Sequence, residues 1–508
     1  MNKHKIKSKI ESQNVFVGKD ILELLSGGMY NNPLDIYREY IQNSFDAIRS
    51  ETKSKLTDNP QVSINIEPIT RTISIIDYGP GIANSDFIEV LTSIGNSGKR
   101  SNNYIGFRGV GRLGGLGYAK KIVMRSKGIK DTHAIEMVWD GIKLRHLLND
   151  FEQKINLQTL LSEIITVNTV EVDHQTKSFF EVKLEGVMRS KNDVLLNENE
   201  IFEYLSQVAP VPFHPKFNYK QTIDNLLEEH NVSTGITIHL ARLDKTIYRP
   251  FFDDFSVTGT TEDSYKEIEI FTIPGLSDGI DAVGWVLHHN YLGSLPKALS
   301  IRGVRARYKN MQVGGEDIFQ MMFPESRFNS WTTAEVHILN PKIKPNARRD
   351  NFEHNIHYDN LLNHLTVIGS QIARKCRKSS SDRTIKRRAK YLIESLKDNG
   401  LLLHNNMVSG EHAKTTKKIV NSSIRELELL FDKIDDLDDE MLGYSTVLEN
   451  HKSTHLAKES SISDAGMLLN NHGIKHEAYQ EIIQAILEVM GDRPKALNLI
   501  NQVLSRVL

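Results

Sequence analysis

Apolar positions between Tyr37 and Ser50, in YREYIQNSFDAIRS, recur at helical spacing and divide the segment into two stripes. At the ideal rotation, Tyr37, Ile41, Phe45 and Ile48 fall on one side, while Glu39, Asn43 and Asp46 fall within about 60° of one another on the other. The pattern predicts a helix with one face in a core and the other holding two carboxylates and a carboxamide over a cavity. Upstream, residues 19–25 read as a short helix stopped by Gly27 and Gly28, and Pro33 suits the first turn of the helix that follows.

Downstream the period changes from helical to alternating. Val62, Ile64 and Ile66, then Ile73 and Ile75, are separated by PITR and predict a hairpin whose second strand runs into Asp77 and the turn DYGPG. Phe87, Val90, Leu91 and Ile94 return to helical spacing. Residues 95–117 are then dense in glycine, poor material for a packed element, and read as a mobile phosphate-contacting lid spanning about 84–117. Strand patterns resume over 120–139, 165–172, 179–184 and 235–240, with a helix near 201–208. The polar, turn-rich FFDDFSVTGTTEDS marks a boundary near 245–265, and a second set of strands follows near 268–273, 282–288, 299–308 and 334–339. Beyond about 352 helical patterns dominate, ending in an amphipathic pair over 479–508 split at GDRP. The fold class is therefore α/β (α+β), organised as 1–250, 251–355 and an all-helical 356–508.

Composition narrows this picture. A chain of 508 residues is too long for one ordinary core. With 39% hydrophobic and 25% charged residues it reads as soluble and globular, and a net charge of -1 gives no global attraction to nucleic acid or an anionic membrane. The single cysteine, Cys376, excludes an intrachain disulfide framework and fits a reducing cytoplasm. The basic N-terminal stretch lacks the apolar core of a secretory signal, and no run of about 18 apolar residues is present, so no membrane partner is expected. Residues 374–390 hold nine Lys or Arg and residues 426–440 eight Asp or Glu, read as solvated helix faces that pair with each other in preference to a nucleic-acid patch. Val420, Ile424, Leu427, Phe431 and Ile434 repeat in a 4-3-4-3 pattern that calls for a partner helix or a hairpin. Histidine pairs such as His354 and His357 have metal-compatible spacing but no third ligand in register.

Three blocks carry candidate chemistry when taken together: Glu39, Asn43, Asp46 and Ala47; Asp77, Gly79 and Gly81; and Gly106, Gly109 and Gly111. Hydrolysing a nucleotide needs a group to orient water, a ligand for Mg²⁺, a purine reader and backbone donors for phosphate. Glu39 can polarise the water, and Asn43, one turn along, can offer an amide oxygen to Mg²⁺. Asp77 at a strand end can accept from an exocyclic amine, which favours adenine. The glycines let the backbone approach the base and expose N–H groups to phosphate.

In this order and spacing, EYIQNSFDA, DYGPG and IGFRGVG resemble the Bergerat fold of the GHKL ATPases. That superfamily includes gyrase, the ninety-kilodalton heat-shock chaperone, histidine kinases and MutL. The resemblance implies a two-layer α/β sandwich that binds ATP and Mg²⁺ beneath a lid, with Ile82, Ser97, Gly98, Lys99 and Val110 also at the nucleotide. The segments IRGVRARYKNMQVG and AEVHILNPKIKPNARRDNFE resemble the chaperone's middle domain. By that resemblance Pro345, Asn346, Arg349 and Asp350 match a loop whose arginine reaches the γ-phosphate, with Arg348 as the alternative. The chaperone's Gly-Thr pair has no direct counterpart, since Gly235 is followed by Ile236; Thr237, or else Thr234, takes its place. The chaperone reading implies a cytoplasmic homodimer acting on a protein client. The other readings are a DNA clamp of the MutL or chromatin-remodelling type and the ATPase subunit of an anti-phage defence system acting on an effector.

Overall fold

The computed structural model describes residues 32–52, 61–94, 111–150, 155–434 with gaps at 174, 190, 405–406 and 409, 438–453, and scattered positions between 489 and 502. The helices expected at 19–25 and over most of 479–508 lie outside the described residues. The chain divides into two compact units, Met1–Ser379 and Ser380–Leu508.

The first unit opens with helix α1 (Asp35–Thr52), which carries an acidic residue in its first turn and Arg49 in its last, as the helix dipole favours. Pro33 falls in the turn before α1 and not in its first helical turn, because the carbonyls of Asn32, Pro33 and Leu34 are used to wind the entrance. Strands β1 (Gln61–Glu67) and β2 (Thr72–Asp77) form the expected hairpin. Helix α2 (Phe87–Thr92), β3 (Lys121–Lys127), β4 (Ala134–Asp140), α3 (Gly141–Asn149), α4 (Leu157–Ile164), β5 (Ile165–Val170), β6 (Phe179–Glu185), α5 (Glu198–Val208), α6 (Lys220–Glu229), β7 (Thr237–Leu240) and β8 (Lys245–Thr246) follow. Eight strands form one sheet in the order β5-β4-β3-β6-β2-β1-β7-β8, antiparallel except where β7 joins β1 in parallel. The apolar stripe of α1, with Tyr37, Ile41, Phe45 and Ile48 fully buried, packs in one core with Val62, Ile64, Ile73 and Ile75 of the hairpin. This leaves its polar stripe turned away from the sheet.

The stretch FFDDFSVTGTTEDS is not a bare linker. It forms the hairpin β9 (Asp254–Thr258) and β10 (Thr261–Ser264), with Phe251, Phe255 and Val257 buried. The second sheet comprises β11 (Glu267–Pro274), β12 (Ile280–His288), β13 (Gly303–Tyr308), β14 (Met311–Val313) and β15 (Thr333–Ile338), in the order β11-β12-β15-β13-β14. The strand expected from 299 begins only at Gly303, after a 3₁₀ turn at Lys297–Leu299. Alternate residues of β12 face two cores. Ala282 and Val286 join the start of helix α7 (Ile356–His404), whereas Val283, Trp285 and Leu287 join α6 and the β9–β10 hairpin. Burial on both faces explains why β12 reads as an almost unbroken apolar run.

A buried ionic cluster ties the two sheets together. Arg249, Arg305, Arg307, Glu335 and His337 are all almost fully buried. Glu335 accepts from Arg249 and, at 2.5 Å, from Arg307, with His337 at 3.3 Å. Arg307 also donates to the carbonyls of Gln207 at 2.9 Å and Ala209 at 3.5 Å, at the electron-rich C-terminus of α5. Burial pulls Arg249 and Arg305 down to about 10 and His337 down to about 4. Burial alone would raise Glu335, but Arg249 and Arg307 hold it well below the usual carboxylate range. Replacing Glu335 by alanine is expected to destabilise the first unit by about 3–5 kcal/mol, because two arginines lose their buried counter-charge. A shift in the denaturation midpoint checks this, and an unchanged midpoint would refute the role.

In the second unit the rest of α7 packs with helix α8 (Gly410–Phe431) and the helical residues 439–453. Val420 and Leu427 are buried against Ala389, Leu392, Ile393 and Leu396. Ile424, Phe431 and Ile434 line the same contact, so the heptad-like pattern has its partner within the chain. Arg388 pairs with Glu426 through two hydrogen bonds of 2.6 and 2.8 Å, and Lys386 pairs with Asp438, so the basic and acidic blocks do meet. Among the described residues, no helix is long and apolar enough to cross a membrane.

Candidate active site

The polar stripe of α1 forms one wall of the site. Glu39 and Asp46 are buried, and Asn43 and Ala47 are half-buried. Glu39 is closely approached: a Cβ added to Gly111 would stand 2.2 Å from its Oε2, so a side chain there would displace the carboxylate. Gly111 opens a 3₁₀ turn, Gly111–Gly117, in which Leu113, Gly114, Gly115 and Leu116 are buried. The end of the glycine-dense segment is thus packed, contrary to the expectation for that composition. Glycine allows backbone to lie where a side chain would collide, since a Cβ at Gly115 would meet the Tyr40 hydroxyl at 2.4 Å. The Tyr40 hydroxyl accepts from the Gly115 N–H at 3.2 Å and donates to the Arg112 carbonyl at 3.4 Å. Burial raises its pKa well above the ordinary phenol value. Arg112 in turn donates to the Ser93 carbonyl at 2.9 Å and to that of Val90. Ser97, Gly98, Lys99, Gly106, Gly109 and Val110 lie outside the described residues.

A second wall is the turn after β2. Asp77 is buried, and its Oδ1 accepts from the Gly79 N–H at 3.2 Å. Gly81 has φ +65°, and a Cβ there would lie 2.2 Å from the Lys127 carbonyl, so the turn requires glycine. Two serines that the sequence patterns did not single out strap this turn to neighbouring strands. Ser178, just before β6, donates to the Gly79 carbonyl at 2.9 Å. Ser126 in β3 accepts from the Ile82 N–H at 2.7 Å and donates to the Phe179 carbonyl at 2.9 Å. The available signal was a small hydroxyl within or beside a strand, which gains meaning only once the strand order is known. Thr237 is placed differently from the expectation. It opens β7 opposite Gln61 of β1, while Val62 of β1 pairs with Asp77, so a strand lies between Thr237 and the Asp77 turn. The parallel pairing of β7 with β1 is the reason, and the hydroxyls that do reach the turn belong to Ser178 and Ser126.

The third wall comes from the second sheet. Between Pro345 and Phe352, which form an isolated bridge, the chain turns tightly, with the Asn346 N–H donating to the Asn351 carbonyl at 2.8 Å. Arg349 stands in the left-handed region at φ +59°, and its carbonyl is held by the Gly314 N–H at 2.8 Å. Its guanidinium lies 3.4 Å from Glu39 Oε1. The neighbouring Arg348 presents its carbonyl to Arg38 at 3.3 Å. The site therefore joins a carboxylate, a carboxamide and a guanidinium from parts of the chain 310 residues apart. Among the described residues, no group of three or more His, Cys, Asp or Glu is placed to hold a metal ion. The Asn43 carboxamide is a single hard oxygen donor, which suits Mg²⁺, an ion that completes its shell with water and phosphate oxygens.

Sheet, helix stripe and aspartate turn together form the part of the chain for which a family match exists. Residues 35–176, from α1 past β5, match the family described as Histidine kinase-, DNA gyrase B-, and HSP90-like ATPase. The chain is also similar to the Chaperone protein HtpG of Helicobacter pylori strain J99, with 30% identity over 141 residues, 24% of this chain and 23% of the relative. It is also similar to that of Campylobacter jejuni strain RM1221, with 28% identity over 176 residues, 30% of this chain and 29% of the relative. For the protein of the same name in Buchnera aphidicola the identity is 23% over 246 residues, 44% of this chain and 37% of the relative. The first of these matches spans less than a quarter of the relative's own length.

Proposed function

We propose that this protein is an ATP-dependent conformational clamp that hydrolyses ATP to ADP and phosphate, in the manner of a heat-shock-type chaperone. The observation that carries the reading is the contact between Arg349, in the turn that follows β15, and Glu39 of α1. Glu39 orients the attacking water, and Arg349 stabilises charge developing on the γ-phosphoryl group. Asn43 would hold Mg²⁺, which supplies charge neutralisation between the phosphates. Asp77 and the strapped turn at Gly79, Gly81 and Ile82 read adenine, while Asp46 and Ala47 form the pocket floor and Gly111 offers backbone close to Glu39. Because Glu39 sits on α1 and Arg349 on the turn that follows β15, a bound γ-phosphate gains contacts with both and favours their docked arrangement.

The working division remains a nucleotide domain over 1–250, a second α/β domain over 251–355 and a helical region from 356. A cytoplasmic homodimer acting on a protein client or an effector completes the proposal. The pairing of Arg388 with Glu426 and of Lys386 with Asp438 favours it over a nucleic-acid clamp, since those cations are already engaged with acids.

Asp77→Asn tests the adenine role directly. Isothermal calorimetry is expected to register a fall in ATP affinity of about 10- to 100-fold, the size of a lost charge-assisted hydrogen bond. Wild-type affinity in that variant would refute the assignment, and ATPase stimulation by DNA instead of an unfolded protein would favour the nucleic-acid clamp.

A further inference from the structure

Consecutive residues of α1 meet consecutive residues of the 3₁₀ turn Gly111–Gly117: Glu39 faces Gly111, and Tyr40 faces Arg112. The two carboxylate oxygens of Glu39 have different neighbours. Oε1 lies 3.4 Å from the Arg349 guanidinium, whereas Oε2 abuts the Gly111 backbone, where an added Cβ would stand 2.2 Å from Oε2 and 3.1 Å from Cδ. Arg349 therefore holds one oxygen, and the turn bounds the other.

The turn is fixed to α1 by the Tyr40 hydroxyl. That side chain is buried; its oxygen accepts from the Gly115 N–H at 3.2 Å, and its proton goes to the Arg112 carbonyl at 3.4 Å. Leu184 of β6 and Ile122 of β3 close on the same glycine, since a Cβ added there would meet them at 2.6 and 3.0 Å. The Arg112 guanidinium ties the turn a second time, to the carbonyls of Val90 and Ser93 at the end of α2.

A phenylalanine would fill the same apolar space, so packing alone does not call for a hydroxyl at position 40. What the hydroxyl adds is one donor and one acceptor, both used on backbone groups of the turn that begins at the residue bordering Glu39. A group that orients an attacking water works over a narrow range of positions, and a misplacement of about 1 Å costs about 10²-fold. We propose that Tyr40 is a positioning residue of the nucleotide site: its hydroxyl holds the 3₁₀ turn so that Gly111 confines the Glu39 carboxylate, and it thereby sets turnover and not ATP affinity. The inference rests on the ATPase reading and adds to it a residue that acts through Glu39.

The test is single-turnover ATP hydrolysis and calorimetric ATP affinity in the full-length chain, its Y40F and E39Q variants and the Y40F/E39Q double variant. In Y40F the hydrolysis rate is expected to fall about 5- to 30-fold, the scale of buried backbone groups losing their partner, with ATP affinity changed less than about twofold. In the E39Q background the same substitution is expected to change the rate by less than about twofold, because the carboxylate on which Tyr40 acts is already gone. A tyrosine that only stabilised the fold would slow both backgrounds by the same factor. A wild-type rate in Y40F, a loss of affinity that matches the loss of rate, or an equal loss in both backgrounds would each overturn the proposal. If Y40F does not fold, Gly111→Ala probes the contact through which Tyr40 acts, since its Cβ would displace Oε2. A slower rate that disappears in the E39Q background supports the proposal, and a wild-type rate or a loss repeated in E39Q overturns it. A wild-type chain that neither binds nor hydrolyses ATP would instead overturn the ATPase reading, and this inference with it.

Discussion

Glu39→Gln is expected to bind ATP with nearly wild-type affinity and to turn it over about 10²- to 10⁴-fold more slowly, the range that a positioned general base contributes. The glutamine keeps the length of the side chain and can still face Arg349, now 3.4 Å from the carboxylate, so the pocket is expected to retain its shape. What is lost is the negative charge that polarises the attacking water. The tight approach of Gly111 leaves the replacement little room to rotate away. Single-turnover hydrolysis measured beside equilibrium binding separates the two effects. Turnover equal to wild type would remove Glu39 as the water-activating group.

Arg349→Ala should lower turnover by about 10³-fold, at the lower end of what a transition-state arginine contributes, while ATP still binds. Its guanidinium is brought to the site from the turn after β15 by a left-handed backbone held at Gly314. Such a group adds little to ground-state recognition of the purine and much to the charge that develops during phosphoryl transfer. Arg348→Ala is the internal control. That residue meets Arg38 through its backbone carbonyl, which alanine preserves, so only a small change is expected. A larger loss in Arg348→Ala than in Arg349→Ala would move the assignment by one residue.

Much of the nucleotide domain was legible because its signals are local. The two stripes of α1, the alternation in β1 and β2, and an aspartate followed by a turn that demands glycine at Gly81 all depend on residues within a few positions of one another. The packing of the glycine-dense 3₁₀ turn is not local, since composition alone does not reveal that Tyr40 and Leu184 close in on Gly115 and make glycine a packing requirement. The hairpin at β9 and β10 was hidden in the same way. Its residues are polar and turn-forming except for a few aromatic and aliphatic anchors, and these bury only against β12 and α6.

Ser178, which stands at the turn where the sequence points to Thr237 or Thr234, shows where local pattern ends. The Ser178 and Thr237 hydroxyls both lie at or beside short strands, and nothing within either segment ranks one above the other. The strand order β6-β2-β1-β7 puts Ser178 at the Asp77 turn and Thr237 beyond β1.

By itself the sequence determined the helical face that bears Glu39, Asn43 and Asp46, the aspartate turn, the presence of a second α/β segment with an arginine loop, and complementary charge blocks in the helical region. Only the tertiary structure decided which arginine meets Glu39, which serines support the turn, and that Met311 of the second sheet belongs to the core of the first. The physical reason is range. Helix stripes, strand alternation and turns arise from interactions over one to four residues, whereas the contacts that complete the site join residues up to about 310 positions apart and exist only when sheet order and register are set.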